Sequence, residues 1–217
     1  MDPLADGKSA LEIVEVMGND LTVVNAARVS FSKHTNVMEP RDSKLIEYLA
    51  KNGHISPFFH PQIRMRIKMP IFVAREWFRH TIGFARNEVS RRYVDTPPEI
   101  YIPGELRERD VNLKQGSKQT AIAENDAVLQ EMTACLDHSV QCYTSLLESG
   151  VAPEMARMIL PQTMYTEFIE TASLYAYARL CKLRLDPHAQ KEIQQYAGAI
   201  DAQMRAHFPV SWAALMV

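Results

Sequence analysis

Glycine is sparse in this chain, eight in 217 residues, and none of them builds a glycine-rich loop that could cradle phosphate through backbone amides. A phosphate-bearing ligand would have to be held by side chains instead. No apolar run approaches the ~20 residues needed to cross a bilayer, and the opening MDPLADGKSALEIVEV lacks the basic-then-apolar layout of a secretion signal. These absences suggest a cytoplasmic protein that makes no membrane contact. The three cysteines, Cys135, Cys142 and Cys181, fit no CxxC or metal spacing. Cys135 and Cys142 fall seven apart in a helical pattern, which suggests reduced, buried thiols, and no metal is expected. Nor is there a surplus of basic charge: 24 Lys and Arg against 26 Asp and Glu leave a net charge of −2. That argues against a nucleic-acid partner held by bulk electrostatics.

What is present is the composition of an ordinary globular protein, 47% hydrophobic and 23% charged, long enough to form one domain over residues 1–217. Ala10–Met17 alternates apolar and charged residues and predicts a strand. Asn19–Phe31 has helical spacing through Leu21, Val24 and Ala27, interrupted by Arg28. Ser43–Asn52 predicts a short helix closed by Gly53, with Leu45, Ile46 and Leu49 inward. Pro61–Met69 alternates strictly, with Ile63, Met65, Ile67 and Met69 on one face and Arg64, Arg66 and Lys68 on the other, the mark of a half-exposed strand. Pro70 should then open a helix that runs to Gly83. Glu99–Ile102 reads as extended, and Lys118–Ser149 as the longest helix, with Val128, Met132, Leu136, Val140, Tyr143 and Leu147 inward. A helix should begin near Pro153. Leu160–Thr171 starts extended, Ala172–Leu183 is helical, and Pro187–His207 is a final amphipathic helix. Pro103–Ser117 reads as a flexible loop. Strands and helices do not alternate as in a doubly wound sheet, so the expected class is α+β, a mixed or antiparallel sheet packed with helices.

The densest chemistry lies in Arg79–Tyr93, RHTIGFARNEVSRRY, which holds four arginines, a histidine, a glutamate, an asparagine and a serine. Arginine in a partly buried setting calls for an anion that matches its planar fork of donors. Just upstream, Arg75 with Arg79 and Glu76 with His80 share helix faces, while Ile71, Phe72, Trp77 and Phe78 wrap most of the same helix. The four polar side chains read either as a surface ladder of ion pairs or as charges facing a cleft or subunit contact. Asn87, Glu88, Ser90, Arg92 and Tyr93 suit a phosphate site built without a glycine loop, or else a turn feeding a charged helix. Nothing in the sequence is placed to activate Ser90 as a nucleophile. His54 and His60 frame Ser56-Pro57 as a capped turn rather than a zinc pattern. Arg157 and Arg184 stand among apolar residues, and Asp186 is a natural partner for Arg184.

Together these segments resemble the flavin-dependent thymidylate synthases. The family signature R-H-R-x-x-S-x-N-E-x-S-x-R-Y is met at its start by Arg79-His80 and at its end by Asn87-Glu88-x-Ser90-x-Arg92-Tyr93. Five further blocks follow in family order: AARVSF (26–31), GHISPFFH (53–60), PIFVAREWFRH (70–80), ARMILPQ (156–162) and LRLDPHAQKEIQQYA (183–197). The chain departs in having six residues, Thr81–Arg86, where the signature has five. Thr81 stands at the third basic position, Ala85 at the signature serine and Phe59 at a usual glutamate, while Arg86 would restore a lost charge.

The resemblance implies methylation of dUMP at C5, with methylenetetrahydrofolate as carbon donor and NADPH-reduced FAD as hydride source. Classical thymidylate synthases attack the pyrimidine with a cysteine instead, and none of the three here has a nucleophile's setting. Carried over by position, Glu76, Arg79, Glu88, Val89, Ser90, Arg91, Arg92, Arg157 and Arg184 would surround dUMP, with Arg157 reaching in from another subunit. Arg184 would be the catalytic group, stabilising the ionised uracil electrostatically. Ser30, His54, Ser56, Arg79, His80, Thr81, Asn87, Glu88, Ser173, Tyr175, Arg179 and His188 would lie along FAD. The family's active sites are shared within a homotetramer. Two alternatives stay open on the sequence: a hydroxymethylase of the same fold acting on a pyrimidine nucleotide, and a catalytically inactive homologue that binds nucleotide or RNA.

Overall fold

A computed structural model describes residues 1–112 and 116–217. Along the chain, β1 (Ala10–Met17) is followed by α1 (Asp20–Arg28), α2 (Pro40–Lys51), β2 (Gln62–Pro70), α3 (Ile71–Trp77) and β3 (Phe84–Glu88). After a long connection come α4 (Asn125–Glu148), α5 (Pro153–Ala156), β4 (Tyr165–Ser173), α6 (Leu174–Arg184), α7 (Lys191–His207) and α8 (Pro209–Leu215). The strands form one sheet in the order β1-β2-β4-β3, and each pairing is antiparallel. The expected α+β class is what forms.

The alternation of β2 organises this architecture. Ile63, Met65, Ile67 and Met69 are fully buried and join Phe168 and Ala172 of β4 in the core. The helices cover that face through Val24 of α1, Ile46 of α2, Trp77 of α3, Tyr177 and Leu180 of α6, Tyr196 and Ile200 of α7, and Trp212 of α8. On the opposite face Arg64 pairs with Glu15 at 2.8 Å, Arg66 with Glu167, and Lys68 with Glu99 at 2.7 Å. Cross-strand charge pairs of this kind fix register more than they add stability. Arg28, the break in the first helical stripe, pairs with the fully buried Asp42, which in turn accepts from the Glu39 N–H to cap α2.

Several elements differ from the sequence expectation. The second helix starts at Pro40 rather than Ser43, because proline at the first turn gives up a donor that would be unsatisfied there in any case. The third ends at Trp77, six residues before Gly83. Its terminal Glu76 carbonyl is claimed by a side chain, Arg184 donating at 2.8 Å, and just past its end Arg86 donates to His80 O at 2.6 Å. Gly83 (φ +83°) then turns the chain into β3, which no alternation announced.

The long helix starts at Asn125, not Lys118, and of its expected inward stripe only Leu136 and Tyr143 are buried. Cys135 and Cys142 are exposed rather than buried, because each precedes one of those two positions and is turned about 100° away from them around the helix. The expected flexible loop is tied at both flanks by Glu108 N to Thr120 O at 2.9 Å and Ile122 N to Leu106 O at 2.9 Å, while residues 113–115 within it lie outside the described residues. The seventh helix begins at Lys191, four residues after Pro187, and α8 is an addition beyond His207. No helix among the described residues is long and apolar enough to cross a membrane.

Gly83 offers a direct test of the turn into β3. A Cβ there would approach Ala176 Cβ at 3.0 Å, on a backbone that L residues rarely adopt. Gly83→Ala is expected to cost about 2 kcal/mol and to lower the thermal midpoint by about 4–8 °C. An unchanged midpoint in calorimetry would refute this account of the turn.

Candidate active site

The antiparallel pairing of β2 and β4 makes α3 and α6 start at opposite ends of the sheet and run toward each other. Their C-terminal ends meet. A helix C-terminus presents unpaired carbonyls and partial negative charge, which favours a cation. Arg184 supplies it: Nη1 donates to Glu76 Oε2 at 3.0 Å, Nη2 to the Glu76 carbonyl at 2.8 Å, and Nε to His80 Nε2 at 3.0 Å. The partner of Arg184 is thus Glu76, not Asp186, whose carboxylate instead accepts from the His188 backbone N–H at 2.8 Å and lies 2.9 Å from its ring.

Because a guanidinium can only donate, His80 Nε2 must accept and its proton sits on Nδ1. Burial, followed by the charges of Arg184, Arg86 and Arg179, lowers the His80 pKa from 6.5 to about 4. The ring is therefore neutral across the physiological range, with one N–H to offer.

This cluster opens into a cleft of about 1220 Å³. Arg75, Arg79, Arg107, Arg184 and Lys191 bring five cations to its wall against one carboxylate, Glu76, and His188 lines it too. Arg107 is committed to Glu192 through a fork of 2.8 and 3.1 Å, whereas Arg75 and Arg79 make no ion pair among the described residues. Unmatched guanidinium groups in a cleft are what a phosphate-bearing ligand requires. A second hollow of about 620 Å³ has a mostly apolar wall, with Tyr175, Ala178 and Leu215 beside Arg179, and Gly53 and Ile55 on either side of His54.

The structure therefore draws Glu76, Arg79, His80, Arg184 and His188 together and sets Tyr175 and Arg179 on the wall of the second hollow, while His54 does not line it, although its neighbours Gly53 and Ile55 do. Ser56 stands exposed beside Ile55, Ser30 on the turn after α1, and Thr81 on the turn after α3. Ser173 is buried, its hydroxyl accepting from Ala176 N to cap α6. Asn87, Glu88, Val89, Ser90, Arg91 and Arg92 line neither hollow. They follow the outer edge of the sheet, where Glu88 accepts from Thr166 at 2.6 Å, Arg91 donates to Thr96 O, and Arg92 lies 3.8 Å from Glu154. Arg157, also exposed, donates to the Glu154 carbonyl at 3.4 Å, so the two arginines share one neighbour.

Arg86 does not replace a charge in the cleft. It turns inward to the buried Glu170, whose carboxyl burial pushes up against the pull of Arg86 and the Trp77 N–H. Sequence reasoning missed Glu170, although a carboxylate on the buried phase of a strand was a signal. It also missed Lys191, although that residue lies in the family-like block 183–197, and Arg107, which had no signal.

Comparisons with known proteins show the family. The family model described as "Thymidylate synthase complementing protein" matches residues 12–210. The chain belongs to the flavin-dependent thymidylate synthase family. The flavin-dependent thymidylate synthase of Thermotoga neapolitana is 42% identical over 214 residues, covering 99% of this chain and 93% of that one. An enzyme of that name from Thermus thermophilus is 41% identical over 217 residues, covering 98% and 77%. Among solved structures, the UMP/dUMP methylase PolB from Streptomyces cacaoi bound with 5-Br dUMP superposes with a TM-score of 0.85 at 29% identity, covering 95% of this chain and 94% of that one. Its complex with 5-Br UMP gives 0.84 at 28% identity, with 95% and 92% covered.

The depressed His80 pKa has a measurable consequence for this family member. Unfolded, His80 takes up a proton near pH 6.5; folded, only near 4, so stability must fall as the pH drops through that window. In urea titrations at pH 7 and pH 5, His80→Gln should lose less stability between the two than the parent. Equal losses would mean that His80 is not held neutral.

Proposed function

We propose that this protein methylates dUMP at C5 to give dTMP, as a flavin-dependent thymidylate synthase. The observation that carries the reading is the cationic cleft at the meeting of α3 and α6, with Arg75 and Arg79 lacking carboxylate partners among the described residues, in a chain of this family. The residues also fit the cofactor: positive charge for a pyrophosphate lies near a smaller, more apolar hollow with Tyr175 and Arg179 for ring systems. FAD reduced by NADPH supplies the hydride, and methylenetetrahydrofolate supplies the carbon.

In this reading Arg79 holds the nucleotide phosphate from the cleft, and Ser90, Arg91 and Arg92, which line neither hollow of their own chain, reach it from a neighbouring subunit through charge-assisted donors. Glu88 and the Val89 backbone flank the same ligand. Arg184 stays protonated throughout and faces the uracil, lowering the cost of negative charge on N3 and its neighbouring carbonyl as C5 becomes nucleophilic. Glu76 fixes the angle of that guanidinium, and His80 offers its Nδ1–H to the flavin side. His54, Ser56, Asn87, Tyr175, Arg179 and His188 line the flavin, with Ser30 and Thr81 at its margins and Ser173 setting the start of α6. Arg157 reaches the nucleotide of a neighbouring subunit in a homotetramer. That assembly is supported by exposed apolar side chains beside the edge strand, Ile82, Val89, Tyr93, Met155 and Met158, and by the half-covered face of α4.

The purified protein should carry a flavin spectrum that bleaches with NADPH, and light scattering should give the mass of four chains. Incubated with dUMP and methylenetetrahydrofolate, it should yield a product of dTMP mass. A product heavier by one oxygen, or UMP turned over as readily as dUMP, would overturn the assignment. Arg184→Ala should lower turnover by at least about 100-fold while flavin stays bound; undiminished turnover would remove Arg184 from the mechanism.

A further inference from the structure

Behind the cleft lies a second ion pair that the reading above does not use. β3 and β4 set Arg86 directly opposite Glu170, and both turn to the core face. The Glu170 side chain is fully buried and that of Arg86 only 14% exposed. Trp77 Nε1 donates to both Glu170 oxygens at 3.3 Å, and Arg86 Nε donates to one of them. The guanidinium is sandwiched, with Cζ 5.2 Å from the Phe78 ring centre and 4.5 Å from that of Phe84. Its Nη1 donates to the His80 carbonyl at 2.6 Å.

Two observations show that this is not simple packing. Among the described residues Arg86 Nη2 is buried with no hydrogen-bond partner, and the buried Tyr177 hydroxyl faces the Glu170 carboxylate. A buried ion pair can also be exchanged for apolar side chains of similar volume without loss of stability, often with a gain. What an apolar pair cannot supply is a donor to the His80 carbonyl. That carbonyl belongs to the residue whose ring is held from the other side by Arg184. Arg86 is also the last residue of Thr81–Arg86, the span one residue longer than in the family signature.

We propose that Arg86 and Glu170 are a positioning pair: Glu170 anchors the guanidinium, and Arg86 holds the His80 main chain so that His80, Arg184 and Glu76 stay aligned at the cleft. The role is a contribution to the reaction proposed above and rests on that reading, though the alignment itself can be tested without it. The charges facing His80 are Arg184 and Arg179 from α6, Arg86 from β3 with Glu170 of β4 behind it, and Glu76 from α3. Removing Arg86 takes one cation away from the ring, so protonation becomes easier and the Arg184 bond to Nε2 is lost at a higher pH.

Two variants of the full-length, FAD-loaded protein separate positioning from folding. Arg86→Lys keeps a cation beside Glu170, but a single ammonium cannot reach both the carboxylate and the His80 carbonyl in the arginine geometry. The double variant Arg86→Met/Glu170→Met removes the pair and fills its space. Arg86→Lys should unfold near the parent's temperature and the double variant somewhat below it, since Trp77 Nε1 loses its acceptor, and both should retain flavin. Their kcat should fall about 10- to 100-fold while KM for dUMP moves by less than about threefold. The double variant should also gain an acid limb in its pH–kcat profile. Parental kcat and pH profile in either variant would overturn the proposal.

Should the double variant fail to fold, isotope-edited NMR of the histidine rings in the parent and in Arg86→Lys decides the matter, with His80→Gln giving the assignment; a His80 ring that behaves identically in both would overturn the pair's role. A His80 ring that stays in the Nδ1–H form down to pH 5 supports the alignment, and one that titrates near 6.5 refutes it. If the parent does not methylate dUMP, the functional reading fails on its own, while the NMR titration still tests the pair.

Discussion

The nine-residue antiparallel ladder between β2 and β4, from Gln62 opposite Ser173 to Pro70 opposite Tyr165, is the constraint on which the rest of this molecule depends. Because each strand runs straight into a helix, the ladder decides where those helices begin and therefore where they end. Slipping the register by one residue would turn Ile63, Met65, Ile67 and Met69 out of the core and bring Arg64, Arg66 and Lys68 into it. It would also part Glu76 from Arg184. Core packing and site geometry are consequences of one pairing.

Electrostatics then acts on the point that topology has selected. Two helix C-termini meeting would leave carbonyls facing one another without donors, an arrangement that costs stability unless a cation intervenes. Arg184 meets that need with three hydrogen bonds while leaving its charge at the wall of a cleft. The residue that seals the helix ends is also the one best placed to act on a developing anion. Structural and chemical demands converge on a single side chain, and lysine, with no planar fork, could not satisfy both.

The sequence made the strands with clean alternation legible, Ala10–Met17 and Pro61–Met69 above all, because a half-exposed strand writes its two faces in two residue types. β3 was not legible. Its five residues, FARNE, mix phases, and its inward arginine reads as polar until Glu170 is seen across the ladder. The early end of α3 was hidden for a related reason: the groups that claim its carbonyls come from residues up to 108 positions away. The stripe on α4 was legible as a pattern, but a pattern does not say what covers it, and Cys135 and Cys142 were misplaced with it. Of the site, the order of the family-like blocks marked Glu76, Arg79, His80, Arg184 and His188, which the fold brings together. Lys191 sits in one of those blocks but went unmarked, and Arg107 reaches the same cleft through tertiary folding alone.

The bond from Arg184 Nε to His80 Nε2 has one more consequence. Histidine at an enzyme site is commonly a relay that takes a proton on one nitrogen and releases it from the other. Here one nitrogen is occupied by a group that does not give up its proton at any pH the protein meets. The imidazole is thereby made into a fixed dipole, a permanent donor on its open side. Under the proposed function, proton traffic would run through the ligands and the solvent that reaches them, and not through this ring.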